Sequence, residues 1–177
     1  MKKYRGNVFL VGLMGAGKTT IGRQLSEILR LEFVDSDHEI EARTGANIPW
    51  IFDVEGEVGF RLREESVIDI LTRRQNIVLA TGGGAILREA NRRHLHERGV
   101  VVYLYTPVAT QLDRTARDRN RPLLQTADPR QRLTELMTVR DPLYREAAHI
   151  IMPTEGGSAR DVAMRIIHAL EAHDALE

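Results

Sequence analysis

This sequence predicts an α/β fold in three layers, with a five-stranded parallel sheet sandwiched by helices, and three observations carry the prediction. Five apolar runs that read as buried strands recur along the chain: Val8 to Val11, Phe33 to Val34, Ile77 to Ala80, Val100 to Tyr105 and His149 to Met152. Stretches with helical spacing alternate with them: Lys18 to Leu29, Gly56 to Thr72, Glu89 to Arg98, Thr110 to Arg117, Arg130 to Arg140 and Ala159 to Ala172. With 177 residues, 42% of them hydrophobic, the chain suits one domain spanning 1–177 with one core.

The first run leads directly into Gly12-Leu13-Met14-Gly15-Ala16-Gly17-Lys18-Thr19, and that segment leads into the first helix. The G-x-x-x-x-G-K-[ST] pattern is complete and sits in the strand, loop and helix context it requires. Its glycines permit backbone angles that let successive N–H groups converge on phosphate oxygens, and the helix start adds the positive end of its dipole. Lys18 then bridges the β- and γ-phosphates, and the Thr19 hydroxyl ligates Mg²⁺. Gly12, Gly15, Ala16, Gly17, Lys18, Thr19 and Thr20 are the predicted ATP-binding residues of this loop.

The second strand ends in Val34-Asp35-Ser36-Asp37, at the carboxyl end of the sheet where open α/β folds place their ligands. Two carboxylates two positions apart on extended chain point the same way. Asp37 is suited to cap a helix from His38 to Thr44, a role compatible with catalysis. Asp35 can hold Mg²⁺ through water, leaving Asp37 to accept or orient a substrate hydroxyl.

Arg61 has Glu57 and Glu65 at i±4 and Glu64 at i+3, which taken alone is an exposed ladder of ion pairs worth about 0.3 kcal/mol each. After the third strand, Thr81-Gly82-Gly83-Gly84 offers bare backbone N–H groups where a carboxylate can approach. Phe52 and Phe60 suit a core or a site wall equally. The polar segment Asp118 to Asp128 is a surface loop or lid, the lid spanning approximately 112–128. Arg117, Arg119 and Arg121 make it basic; if it closes over ATP, Arg121 meets the transferring phosphoryl group and Arg117 lies against adenine. Asp128 before Pro129, and Ser158, are predicted helix caps.

In order and spacing these motifs resemble those of the shikimate kinases over nearly the whole chain. The matching segments are the glycine loop, Asp35-Ser36-Asp37, Phe60-Arg61 with Glu64, Thr81-Gly82-Gly83-Gly84, Arg121-Pro122-Leu123-Leu124 and Arg140-Asp141-Pro142-Leu143-Tyr144. The resemblance implies a P-loop kinase fold with a mobile lid. It implies ATP-dependent phosphorylation of the 3-hydroxyl of shikimate, giving shikimate 3-phosphate and ADP in the chorismate pathway of aromatic amino-acid biosynthesis, with one Mg²⁺ per subunit. It further implies that Arg61, Gly83 and Arg140, with Gly82 and Gly84 beside them, surround the shikimate carboxylate. Asp37 would hold the ring hydroxyls, Phe52 and Phe60 would line the ring's apolar face, and Lys18 and Arg121 would neutralise the transferring group. The third strand ends in Thr81-Gly82 without the acidic residue of a usual Walker B strand, so the burden of the cation falls on Asp35.

Two other readings compete. A related kinase for gluconate or a nucleoside monophosphate would use the same loop, and a non-catalytic nucleotide-binding module or GTP switch would find a D-x-x-G element in Asp53-Val54-Glu55-Gly56. No strand is predicted before that element, and the N-K-x-D guanine reader is absent from the sequence. Acidic and basic residues each number 25, so the overall charge recruits neither nucleic acid nor an acidic membrane surface. Cysteine is absent, which excludes thiolate chemistry and suits a reducing, cytoplasmic address. The run from Val8 to Met14, broken by Gly12, suits neither a signal segment nor a spanning helix. His94 and His96, two apart on a predicted helix, cannot share a metal. No exposed apolar seam is evident in the sequence, so a monomer is expected.

Overall fold

The computed structural model describes residues 4–115 and 127–176. Arg117, Arg121 and residues 116–126 of the expected lid lie outside the described residues. In chain order the elements are β1 (Val8–Val11), α1 (Lys18–Leu29), β2 (Glu32–Asp35), α2 (Ser36–Thr44), α3 (Ile48–Thr72) and β3 (Ile77–Ala80). A short 3-10 turn (Ala85–Leu87) precedes α4 (Glu89–Arg98), β4 (Val100–Tyr105), α5 (Val108–Thr115), α6 (Pro129–Ala147), β5 (Ile150–Pro153) and α7 (Ala159–Asp174). The strands form one parallel sheet in the order β2-β3-β1-β4-β5.

The apolar runs are continuous because both faces of the sheet are covered. Phe9 and Val11 of β1, Ile77 and Leu79 of β3, and Val101 and Tyr103 of β4 pack with Ile68, Leu71, Leu95 and Leu136 beneath α3, α4 and α6. The intervening Val8, Leu10, Val78, Val102 and Leu104 pack with Ile21, Leu25, Ile166 and Leu170 of α1 and α7. Each such fully buried aliphatic side chain contributes about 1.5–3 kcal/mol. This clamps β1 at the middle of the sheet and fixes the point from which the glycine loop departs.

Three boundaries differ from the sequence reading for identifiable reasons. A helical segment begins at Ile48, capped by Asn47, whose side chain accepts from Trp50 N at 2.9 Å, with Pro49 in the first turn. It meets the predicted helix at Gly56, where φ of 71° and ψ of −179° break the helical path. Second, α6 continues past Arg140 and through Pro142 to Ala147, held by the Arg145–Asp141 pair at 2.9 Å and by burial of Tyr144 and Ala147. Third, the segment expected as lid from residue 112 is helical up to Thr115. Contrary to the expectation of no apolar seam, Trp50, Val54, Val58 and Leu62 of α3 are all exposed.

Candidate active site

The loop between β1 and α1 adopts positive φ at Gly12, Gly15 and Gly17, of 153°, 82° and 90°, conformations an L side chain rarely takes. At Gly12 a Cβ would also stand 2.8 Å from the Leu104 carbonyl oxygen. Gly17 opens α1 with no side-chain cap, and the first turn carries no acidic residue, so the helix start presents its N–H groups and positive end to an anion. The Lys18 ammonium donates to Gly12 O at 2.7 Å and Leu13 O at 3.0 Å, which arches it over the loop. Ala16 is buried, its N–H donating to Leu13 O at 3.1 Å; Thr20 is exposed on the rim.

Asp35, rather than Asp37, caps α2. One of its oxygens accepts from Asp37 N at 2.9 Å and His38 N at 3.2 Å, and the other accepts from the Thr19 hydroxyl at 3.1 Å. The chain turns into helix at Ser36, so Asp37 lies in the first helical turn and the two carboxylates are not on one extended segment. A Cβ on Gly82 would stand 2.6 Å from Asp37 Oδ1 and 2.9 Å from Glu64 Oε2, so both carboxylates converge on the turn after β3.

None of the turn's three glycines has positive φ, and two of them, Gly82 and Gly84, are held to glycine by lack of room. A Cβ on Gly84 would run into the Arg61 guanidinium, and one on Gly83 would stand 3.5 Å from Arg140 Nη1. The expectation of bare amides fails at Gly82, whose N–H donates to the Ser36 hydroxyl at 3.0 Å. The Gly83 carbonyl accepts from the Tyr144 hydroxyl.

Arg61 is not an exposed ladder: it is buried and pairs with Glu64 at 2.9 Å and Glu57 at 3.3 Å, while Glu65 pairs with Arg88 instead. Glu64 is fully buried, and desolvation pushes its carboxyl up to about 7, opposed by the Arg61 charge and reinforced by Asp37. Burial likewise pulls Arg140 below the usual guanidinium range, with Tyr144 opposing and the Arg61 charge adding to the effect. Arg61 Nε and Arg140 Nη1 are buried donors with no hydrogen-bond partner among the described residues. Such groups cost roughly 1–3 kcal/mol each when left unmet, so two of them beside one turn mark a place for an anionic oxygen.

The cleft is about 800 Å³ in volume. Its walls bring together Gly15, Gly17, Lys18, Thr19, Thr20, Asp35, Asp37, Gly82 and Gly83 from the sequence prediction, while Arg61, Gly84 and Arg140 are not among its lining residues. Phe60 is core, and Phe52 is half-buried with its ring centroid 4.8 Å from that of Phe60; neither lines the cleft. Arg114 on α5 was not anticipated: it lines the cleft and donates to Gly15 O at 3.0 Å. Nothing in the residues around it distinguishes it from any exposed helical arginine.

A phosphate loop, a hydroxyl and carboxylate poised for a cation, and an acceptor pocket within one cleft define a P-loop phosphotransferase acting on a small molecule. The family model for shikimate kinase matches residues 14–171, and the chain belongs to that family. It is 62% identical to the shikimate kinase of Acinetobacter baylyi over 164 residues, covering 93% of this chain and 91% of the relative. It is 63% identical to that of Halorhodospira halophila over 164 residues, covering 93% of each chain. The solved structure of shikimate kinase from Acinetobacter baumannii in complex with shikimate matches with a TM-score of 0.94 and 58% identity, over 97% of this chain and 96% of that one.

Proposed function

We propose that this chain transfers the γ-phosphoryl group of ATP to the 3-hydroxyl of shikimate. The observation that carries this reading is the pair of buried guanidinium groups, Arg61 and Arg140, each with an unmet donor, that lie against Gly84 and Gly83 of the turn whose Gly82 and Gly83 line the cleft of the phosphate loop. In this reading Arg61 and Arg140 hold the shikimate carboxylate against Gly83, and Gly82 and Gly84 keep the space clear. Asp37 accepts from the ring hydroxyls and aligns the attacking one. A planar carboxylate suits guanidinium groups, and an acceptor-only aspartate suits hydroxyl donors.

On the nucleotide side the loop amides and Lys18 carry the phosphates, and Arg114 joins them from α5. Arg121 and Arg117 keep the phosphoryl and adenine roles that the resemblance implies. The Thr19 hydroxyl and the Asp35 carboxylate, 3.1 Å apart, form the hard-oxygen donor set that suits Mg²⁺, with Asp35 acting through water. When bound, Mg²⁺ supplies neutralisation of phosphate charge. Two packed faces on one sheet favour a single domain, and cytoplasmic residence belongs to the same reading.

A coupled ADP-release assay with Mg-ATP tests the proposal, comparing shikimate, gluconate and no acceptor in wild type and Asp37→Asn. Shikimate-dependent release should fall by about a hundredfold or more in the variant, with KM for ATP nearly unchanged. Release that does not depend on shikimate, or full activity in Asp37→Asn, would sink it.

A further inference from the structure

We propose that Tyr144 is a positioning residue for the acceptor site, its phenol holding the Arg140 guanidinium and the Gly83 carbonyl in one fixed arrangement. The inference rests on the reading of Arg140 as a carboxylate ligand and adds to it the group that aims that ligand.

Tyr144 follows Arg140 by four residues on α6, so both side chains lie on one helical face. It is 1% exposed, and its hydroxyl donates to the carbonyl of Gly83, the middle residue of the glycine turn and 61 positions away in sequence. The Arg140 guanidinium lies beside the same phenol, which favours its charged form. Burial drives the phenol's own ionisation upward, so the hydroxyl stays a donor throughout the neutral range. Arg140 Nη1, which would stand 3.5 Å from a Cβ on Gly83, is buried without a partner among the described residues.

A further observation explains why this contact is needed. Pro142 lies between the two residues and has no N–H, so the helical ladder is broken where Arg140 must be held. Contacts outside the helix take over that task. Tyr103 of β4 donates to Asp141 at 2.7 Å, and its ring packs 4.9 Å from that of Tyr144. Tyr103 thus fastens α6 to the sheet, while the Tyr144 hydroxyl reaches the glycine turn. A residue that served only the core would need the ring and not the oxygen.

The experiment is a double-mutant cycle in steady-state kinetics, using Tyr144→Phe, Arg140→Ala and the double variant, with Tyr103→Phe as a control and melting temperature measured for each. Tyr144→Phe should raise KM for shikimate by about fivefold to twentyfold, leaving kcat and KM for ATP within about twofold. On the Arg140→Ala background the same change should add less than about twofold, because the residue it positions is already gone. Tyr103→Phe should lower the melting temperature and leave KM for shikimate in place.

The proposal fails if Tyr144→Phe leaves KM for shikimate unchanged, if its effect is as large without Arg140 as with it, or if Tyr103→Phe gives the same rise. An Arg140→Ala variant with normal KM for shikimate would instead overturn the carboxylate reading itself, and the proposal with it.

Discussion

Replacing Glu64 by Gln should flatten the dependence of stability on pH between 4.5 and about 7. The folded carboxyl binds its proton more tightly than the unfolded one, so its contribution is fully present below 4.5 and is lost as pH rises through about 7. At about 1.4 kcal/mol per pH unit between the two values, the loss is on the order of 3 kcal/mol. Gln can accept from Arg61 as the protonated acid does and stays neutral throughout. The carboxylates of Glu55, Asp69 and Asp161 are held below the usual range by Arg63, by Arg98 and by the Ser158 N–H respectively, so they titrate below this window. Urea unfolding at about pH 5 and about pH 8 should find the variant gaining on wild type by about 3 kcal/mol across the interval. A gap between the two proteins that stays constant with pH would refute the account of Glu64 as a buried acid held near neutrality.

Two further predictions concern the two sides of the cleft. Gly84→Ala places a methyl group where the Arg61 guanidinium lies, at a backbone conformation of φ −94° and ψ 2° that alanine tolerates. Steady-state kinetics should find KM for shikimate raised about tenfold with KM for ATP unchanged, as displacement of Arg61 by overpacking requires. Arg114→Ala removes a cation from the wall beside Gly15 and Gly17 and should raise KM for ATP by about threefold to tenfold, with shikimate binding measured at saturating ATP unaltered.

Where structure follows from local pattern, the sequence was sufficient. β1, α1, β3, α4 and β4 have the bounds the sequence predicts, because two-sided burial makes the strands continuous apolar runs that no glycine interrupts. The first segment of α3 escaped because its large apolar residues Trp50 and Val54 are exposed, which removes the amphipathic pattern, and Gly56 interrupts the helix. Pro142 concealed the second half of α6 in the same way, since a helix is ordinarily read as ending before proline.

The site divides similarly. The loop residues and the two carboxylates could be picked out from the sequence, but that Asp35 and not Asp37 caps α2 could not, because it depends on where β2 gives way to helix. The glutamates around Arg61 suggest a solvated face, and only tertiary packing turns that face inward against Gly84. In the glycine triplet the Gly82 amide is already taken by Ser36, and Gly82 and Gly84 reserve space for two carboxylates and a guanidinium.

Asp35 does two jobs with two oxygens, closing the start of α2 with one and holding the Thr19 hydroxyl with the other. The genetics of that position are therefore confounded. An alanine there removes the cap as well as the charge, so a lost activity would mix local unravelling around Asp37 with weaker cation binding. Asparagine retains a capping oxygen and discards only the charge, and the contrast between the two alleles separates architecture from electrostatics at a site where either would look like a dead enzyme.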